Sequence, residues 1–332
     1  VTGYKTSLML KLLNYFSFAL TGSVLAVLIG GRYDRVFVYD TGPLSMAIPV
    51  FFLRKIHGKH VTIWIQDIWP DMVYAYGFKK TRLLSAFLDR LVALIYKGCD
   101  RMFISCEGFR ARVTPYAPGK PVQYFPNWPV VTPAQDPLAE RIKLSDKFNF
   151  TFAGNIGNFQ KLEDVIRGFA RARAVNGDIQ LNIVGDGSDL ENLKTIVREE
   201  SIRGVVFWGR KKQSEMPSYF NASDVMIITL KDEPIFALTV PAKFQAYLAF
   251  SKPIFCIMKG EVRRIVEGHK IGLCADPGDL EGIKEGFLRF YGLRSEGMLF
   301  FTENSRMLLG SVYDRNKIIS AMTRLVSRGF VE

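Results

Sequence analysis

Histidine is scarce in this sequence: among 332 residues there are three, His57, His60 and His269, and they form no H-E-x-x-H or other ligand spacing. That scarcity speaks against a zinc site, which needs closely spaced His, Cys or carboxylate ligands. The four cysteines, Cys99, Cys106, Cys256 and Cys274, show no paired metal spacing either. Cys106 and Cys256 lie in apolar surroundings, so buried thiols in a reducing compartment are expected, with no structural metal and no cofactor. No G-x-G-x-x-G follows a strand pattern, which argues against a nicotinamide-dependent oxidoreductase. Helix-turn-helix, RNP and zinc-finger patterns are missing too, so nucleic acid is not an expected partner. No signal peptide, internal repeat or low-complexity tail is visible.

What is present is apolar and basic. Hydrophobic residues make up 48% of the chain and aromatics 13%, and the net charge is +12. The charge is uneven: residues through Val130 carry 16 Lys and Arg against 7 Asp and Glu, or +9, and the remainder carry 28 against 25, or +3. A basic first half implies an anionic partner, such as a lipid headgroup surface or a phosphorylated substrate. Leu12 to Ile29 is apolar for 18 residues, just the length of a membrane span, but Asn14, Ser17, Thr21, Gly22 and Ser23 dilute it. It reads as a buried domain helix. Its flanks Lys5, Lys11 and Arg32 leave a membrane-surface role open.

Length suits two domains. After the opening helix the pattern predicts strand 35–39, helix 43–56, strand 61–65, helix 82–97 and strands 101–104 and 122–125, an alternation typical of a parallel sheet with crossover helices. Proline clusters from Pro126 to Pro137 read as a linker. A second alternation follows, with strands 148–152, 179–184, 205–208, 225–228, 254–257 and 272–275, each expected to lead into a helix of ten residues or more. The chain begins on a helix, with no strand and glycine-rich turn before it, so an N-terminal segment is suspected to be absent. The expected organisation is a first domain over 1–130, a linker over 131–145, a second domain over 146–312, and a C-terminal helix in 313–332 that could cross back to the first domain.

Several strand-end loops have the composition of anion sites. In Thr239–Pro253, Thr239 is a suitable cap and Pro241 suits a first turn, so a helix is predicted to start near Val240 and end at Ser251-Lys252-Pro253. Its free N–H groups would attract a phosphate, and Lys243 could add a whole charge; equally, it is one more amphipathic helix packed on a sheet. Gly154, Asn155 and Gly157 follow the first strand of the second domain, where glycine permits either close phosphate approach or an ordinary tight turn. Arg210, Lys211 and Lys212 follow another strand, as a diphosphate contact or a solvated face. Asp186 and Asp189 are not read as metal ligands, Asp189 being a helix-start carboxylate. In the first domain Asp67 ends a strand, beside a Trp69 able to pack on a sugar ring; the alternative is an Asx turn.

With these segments in order, QDIWPD (66–71), SCEGFR (105–110), PNW (126–128), FAGNIGNFQKLE (152–163), IVGDGSDL (183–190), FWGR (207–210), ASDV (222–225) and TVPAKFQAYLAFSKP (239–253), the chain resembles the retaining glycosyltransferases of family four, especially the fucosamine-transferase-like branch of bacterial surface-polysaccharide enzymes. The resemblance covers nearly the whole chain. It implies an α/β GT-B fold, two facing Rossmann-like doubly wound domains with a cleft between them. It also implies transfer of a sugar from a nucleotide-sugar, with UDP-sugars favoured, to a lipid-diphosphate-linked or polysaccharide acceptor without an essential metal. Gly154, Asn155 and Gly157 would line the diphosphate and Arg210 and Lys211 would neutralise it. The helix start at Thr239, Val240, Pro241 and Lys243 would stabilise the departing nucleotide. Asp67 would position the sugar or activate the acceptor, so Asp67 and Lys243 are the candidate catalytic residues, with Trp69 and Asn127 on the acceptor side. The implied location is cytoplasmic, peripheral on the inner face of the plasma membrane, against anionic lipid.

Two departures from the family pattern stand out. Its two glutamates, eight positions apart, are here Leu238 and Ala246; the candidate substitutes are Gln245 and Glu233, the alternative being a different donor contact. The Arg and Lys of its first loop are replaced by Asn158 and Gln160, leaving Lys161 nearby. These losses motivate the competing expectation of a catalytically degenerate binder or partner subunit. A sugar-nucleotide epimerase would share the architecture but needs internal acid-base pairs that the sequence does not display.

Overall fold

The computed structural model describes residues 8–75, 77–131, 133 and 142–327, with the side chains of Leu8, Lys11, Arg294 and Ser295 excepted. Lys5 and most of the expected linker over 131–145 lie outside the described residues. By Cα proximity the chain divides into one unit of residues 1–126 with 316–332, and another of residues 127–315.

The first unit holds a four-stranded, all-parallel sheet in the order β1-β2-β3-β4: Arg35–Asp40, His60–Ile65, Arg101–Ile104 and Val122–Tyr124. Strand β2 reads His-Val-Thr-Ile-Trp-Ile and all but its first residue are buried, as expected of a strand covered on both faces. Helices α1 (Leu8–Ile29), α2 (Pro49–His57), α3 (Asp71–Ala75), α4 (Arg82–Gly98) and α5 (Arg110–Val113) make the connections. The expected helix over 43–56 is in fact a 3₁₀ turn, Leu44–Ala47, followed by α2 with Pro49 as its first residue. A proline lacks the N–H that a helix interior would need, so α2 starts on it.

Helix α1 overturns the expectation of a buried domain helix. It packs on α2 through small residues, with Ala19, Ser23, Ala26 and Gly30 buried. Its opposite stripe, Phe16, Leu20, Val24 and Leu28, at i, i+4, i+8 and i+12, is 51–71% exposed. Small side chains bring the backbones of α1 and α2 close, and the large apolar ones are left facing outward.

The second unit holds a six-stranded parallel sheet in the order β10-β9-β8-β5-β6-β7. Its strands are β5 (Phe148–Ala153), β6 (Ile179–Val184), β7 (Val205–Gly209), β8 (Val225–Thr229), β9 (Ile254–Ile257) and β10 (Gly272–Cys274). All six were expected from the apolar runs, within a residue at either end. The helices are α6 (Leu162–Val175), α7 (Leu190–Glu199), α8 (Met216–Ala222), α9 (Ala242–Ala249), α10 (Glu261–Gly268) and α11 (Leu280–Ser311), and the last helix, α12 (Arg315–Ser327), belongs from residue 316 onward to the first unit. Three of them, α8, α9 and α10, have seven or eight residues instead of ten or more. Pro217 and Pro253 bound two of these segments and proline does not continue a helix. The 32-residue α11 was not anticipated. The core beneath the sheet is aromatic: Phe150, Phe169, Phe255, Phe287 and Phe290 are fully buried, with ring centroids of neighbouring pairs 4.6–6.1 Å apart. As expected, Cys106 and Cys256 are buried thiols.

Candidate functional site

In the second sheet the winding reverses between β5 and β8, and in doubly wound sheets the crevice at that reversal is where ligands bind. The turns after β5 and β8 meet there. The turn after β5 is held against the turn after β6 by backbone bonds: Gly154 N–H donates to the Val184 carbonyl at 2.9 Å and Ile156 N–H to the Asp186 carbonyl at 2.8 Å. At Gly185 (φ +144°) an added Cβ would lie 1.8 Å from the Gly154 carbonyl oxygen, and at Gly187 2.1 Å from that of Ile156. Glycine is therefore required for two loops to stack backbone on backbone. Beside them is a cavity of about 560 Å³ lined by Gly154, Asn155, Gly185, Asp186, Arg210 and Lys211 among others.

Lys243, on the first turn of α9, reaches under this turn. Its Nζ is buried, accepts no bonding partner, and lies 3.9 Å from the centre of the Phe152 ring. A Cβ on Gly154 would be 3.3 Å from that nitrogen, so only a glycine leaves the amine uncovered by a side chain from above. Burial alone pushes the ammonium down, to about 7. Tyr247, one turn along α9, fixes the end of β5: its hydroxyl donates to the Ala153 carbonyl and accepts from the Ala153 N–H, both at 3.1 Å. Sequence reasoning missed Tyr247 and Phe152, because an aromatic at helical or strand spacing carries no sign of what it supports.

Several expected positions sit differently. Thr239 does not cap α9: it terminates a 3₁₀ turn, Phe236–Leu238, and its hydroxyl donates to the Phe236 carbonyl at 3.0 Å. The N-cap is Pro241, without a side-chain bond, so α9 begins at Ala242, two residues after the expected start, and ends at Ala249, short of Ser251. Val240 is buried and Pro241 half-buried. Gln245 is buried at 2% exposure, and its amide, oriented to suit its neighbours, donates to the carbonyls of Pro241 and Ala242 in its own helix, which removes it as a donor contact. Glu233 is half-exposed in the turn after β8, where its carbonyl accepts from Phe236 and Ala237. Gly157 N–H is taken by Gln160 Oε1 at 3.0 Å. Arg210 is exposed at the cavity wall and Lys211 lies 5.6 Å from the Tyr219 ring.

In the first unit a second carboxylate stands beside the expected one. Asp67 follows β2, and Asp40 ends the neighbouring β1, whose carbonyl accepts from Gln66 N–H at 3.0 Å. Asp40 is 1% exposed; its Oδ1 accepts from Gly42 N–H at 3.4 Å and its Oδ2 has no hydrogen-bond partner. Burial, aided by the charge of Asp67, pushes its carboxyl up to about 6, and burial raises Asp67 as well. Gly42 lies between this pair and Trp69: a Cβ there would be 3.3 Å from Asp67 Oδ2 and 3.7 Å from Trp69 Nε1. Asp40 was readable in principle, as a carboxylate closing the apolar strand Val-Phe-Val-Tyr-Asp. Asn127 falls at the first residue of the second unit. No group of His, Cys, Asp and Glu suited to a metal ion occurs among the described residues.

Two parallel-sheet α/β units, the second with a basic cavity walled by the glycine turns after β5 and β6 and by Arg210 and Lys211 after β7, correspond to the GT-B architecture. Comparison with known proteins agrees. The chain superposes on the structure of HepE from Anabaena in complex with UDP with a TM-score of 0.74 at 13% identity, covering 92% of this chain and 81% of that one. It superposes on a UDP-forming α,α-trehalose-phosphate synthase from Burkholderia vietnamiensis with a TM-score of 0.70 at 13% identity, covering 94% and 76%. Residues 147–292 match the family described as Glycosyl transferases group 1, so the second unit carries the sequence pattern of that family. Among curated proteins the chain is 26% identical over 260 residues to the probable glycosyltransferase WbjE of Pseudomonas aeruginosa, covering 75% of this chain and 64% of WbjE. It is 23% identical over 295 residues to WcaI of Escherichia coli K12, a putative colanic acid biosynthesis glycosyl transferase, covering 83% and 71%.

Proposed function

We propose that this protein is a retaining glycosyltransferase that moves a sugar from a UDP-sugar to a lipid-diphosphate-linked or polysaccharide acceptor in bacterial surface-glycan synthesis. The observation that carries the reading is the cavity lined by the glycine turns after β5 and β6 and by Arg210 and Lys211, with the unpartnered Lys243 amine buried beneath its Gly154 wall. A diphosphate seated there meets two cationic side chains, with a third beneath Gly154. Negative charge grows on the diphosphate as the sugar–oxygen bond breaks, so fixed positive groups stabilise the transition state more than the ground state. These groups supply the charge that a metal would, and the proposed reaction takes no metal. Asp67 acts on the acceptor hydroxyl or holds the donor sugar, with Trp69 beside it. UDP is favoured because UDP is bound in the HepE structure, and a surface-glycan role because WcaI is described in colanic acid biosynthesis.

The site is proposed to work at the cytoplasmic face of the plasma membrane. The outward stripe of α1 and the +9 balance of the first 130 residues both suit an anionic bilayer surface.

Thermal unfolding with UDP, GDP, TDP and ADP tests the donor half. Ligand at about 100 times its dissociation constant adds roughly 2.7 kcal/mol to stability. The expected result is an upward shift with UDP that is lost in Arg210→Ala and Lys243→Ala; a panel without any shift rejects the reading. The competing reading, a binder without turnover, draws on Leu238 and Ala246, which stand where the family has glutamates and offer no hydrogen-bonding side chain. It predicts the same UDP shift but no release of UDP from any UDP-sugar in the presence of membrane extract.

A further inference from the structure

Beneath the Gly154 turn lies an amine with no counter-ion and no hydrogen-bond partner among the described residues, favoured as a cation only by the face of the Phe152 ring. Lys243 Nζ is buried with no hydrogen-bond partner, its nearest neighbours being the Phe152 ring and the Gly154 turn. The elements packed around it bring no counter-charge. Strands β5 and β8 carry no ionisable side chain in Phe148–Ala153 or Val225–Thr229. In the turn after β8, Asp232 is committed to Lys259 at 2.6 Å, Lys231 lies over the Phe159 ring at 5.7 Å, and Glu233 forms no ion pair among the described residues. In the turn after β6, Asp186 Oδ1 accepts from Gly187 N–H at 2.8 Å. The cavity on the other side of the Gly154 turn is lined by two cations, Arg210 and Lys211, and on α9 itself Tyr247 is held neutral by burial. The charged residues of α11, which also packs on α9, form no ion pair with Lys243.

We propose that Lys243 is the innermost contact of the donor's diphosphate and that the ligand binds together with a proton, which converts a neutral amine into an ammonium beneath Gly154. This rests on the donor site proposed above and adds to it a coupling between binding and protonation. The atoms balance simply: one proton from solvent or buffer joins the Nζ lone pair as the diphosphate oxygens come within reach. The free amine sits near 7 through burial alone, so above neutrality the empty site is mostly uncharged. A diphosphate restores the missing partner and draws the value back up toward that of an ordinary lysine. The arrangement also accounts for the loss of the family's first-loop cations: Asn158 and Gln160 carry no charge, Gln160 bonds Gly157, and Lys243 approaches the same turn from below.

Isothermal titration calorimetry of UDP into the whole protein tests this between pH 7.5 and 9.0, in pairs of buffers with different ionisation enthalpies. The terminal phosphate of UDP titrates near pH 6, so it stays ionised throughout that range. The expected result at pH 8 is net proton uptake on binding, seen as a heat that depends on the buffer, with the dissociation constant rising as pH rises from 7.5 to 9.0. Arg210→Ala should weaken binding with the proton count unchanged, and Lys243→Met should abolish the buffer dependence of whatever binding remains. Binding of UDP by the native protein with a heat independent of buffer overturns this inference while leaving the donor site standing. Failure to bind UDP, GDP, TDP or ADP overturns both.

Discussion

Asp40 Oδ2 and Lys243 Nζ are both buried without a hydrogen-bond partner, and the physical cost of that burial is measurable. The Asp40 carboxyl is raised from 3.8 to about 6 by desolvation and by the charge of Asp67. The unfolded chain therefore ionises this residue first as pH rises. The stability Asp40 contributes is fully present below about pH 4 and is lost as pH climbs through 6. Asp40→Asn should accordingly melt higher than the native protein at pH 7.5, by on the order of 1–3 kcal/mol in stability, with the difference closing below pH 4. Equal melting temperatures at both pH values would show that the carboxyl is not strained by its site. Neither residue's state was readable from composition. Lys243 drew attention through its place at a helix start, yet the burial that pushes its ammonium down comes from contacts such as Phe152 and Gly154, about ninety residues away in the chain. Asp40 was passed over because an acidic residue closing a strand is ordinary until a second carboxylate is found beside it.

At the scale of elements, α1 is where local pattern and tertiary context part. Its 22 residues span about 33 Å, and its sequence reads as either a core helix or a membrane element. Packing buries one face alone: Ala19, Ser23 and Ala26 are buried on the side of α2, and Phe16, Leu20, Val24 and Leu28 are left exposed. If that stripe seats on a bilayer, Leu20→Glu with Val24→Glu should cut sedimentation with vesicles of anionic phospholipid at least tenfold, each buried charge costing more than about 1 kcal/mol near the interface. Reversal of Lys55, Lys79 and Lys80 should reduce it further and make the remainder insensitive to salt. Undiminished sedimentation of the glutamate variant would remove α1 as the contact. Helix α9 tells the converse story: the capping signals at Thr239 and Pro241 correctly announced a helix start, but a 3₁₀ turn consumed Thr239 and shifted the start to Ala242.

The molecule as a whole is built on two separate sheets, each with its own helices and its own core. The residues proposed for the donor site, Gly154, Arg210 and Lys243, all lie in the second, while Asp40, Asp67 and Trp69 lie in the first. Differential scanning calorimetry should therefore resolve two transitions, and saturating UDP should raise only the one belonging to residues 127–315, by several degrees. A single transition shifted as a unit would contradict independent cores.

Strand positions, the parallel class of both sheets and the glycine turn were legible because apolar runs of four to six residues bounded by turn formers have few other uses. The place of Arg210 and Lys211 after β7 was legible for the same reason, and the structure puts both on the wall of a cavity. Which side of α1 is buried, which groups stand unpaired beneath the Gly154 turn, and that Asp40 shares its surroundings with Asp67 were decided only by tertiary structure. Each depends on contacts between residues distant in the chain, and burial, which sets both exposure and protonation, is a property of those contacts and not of any single stretch.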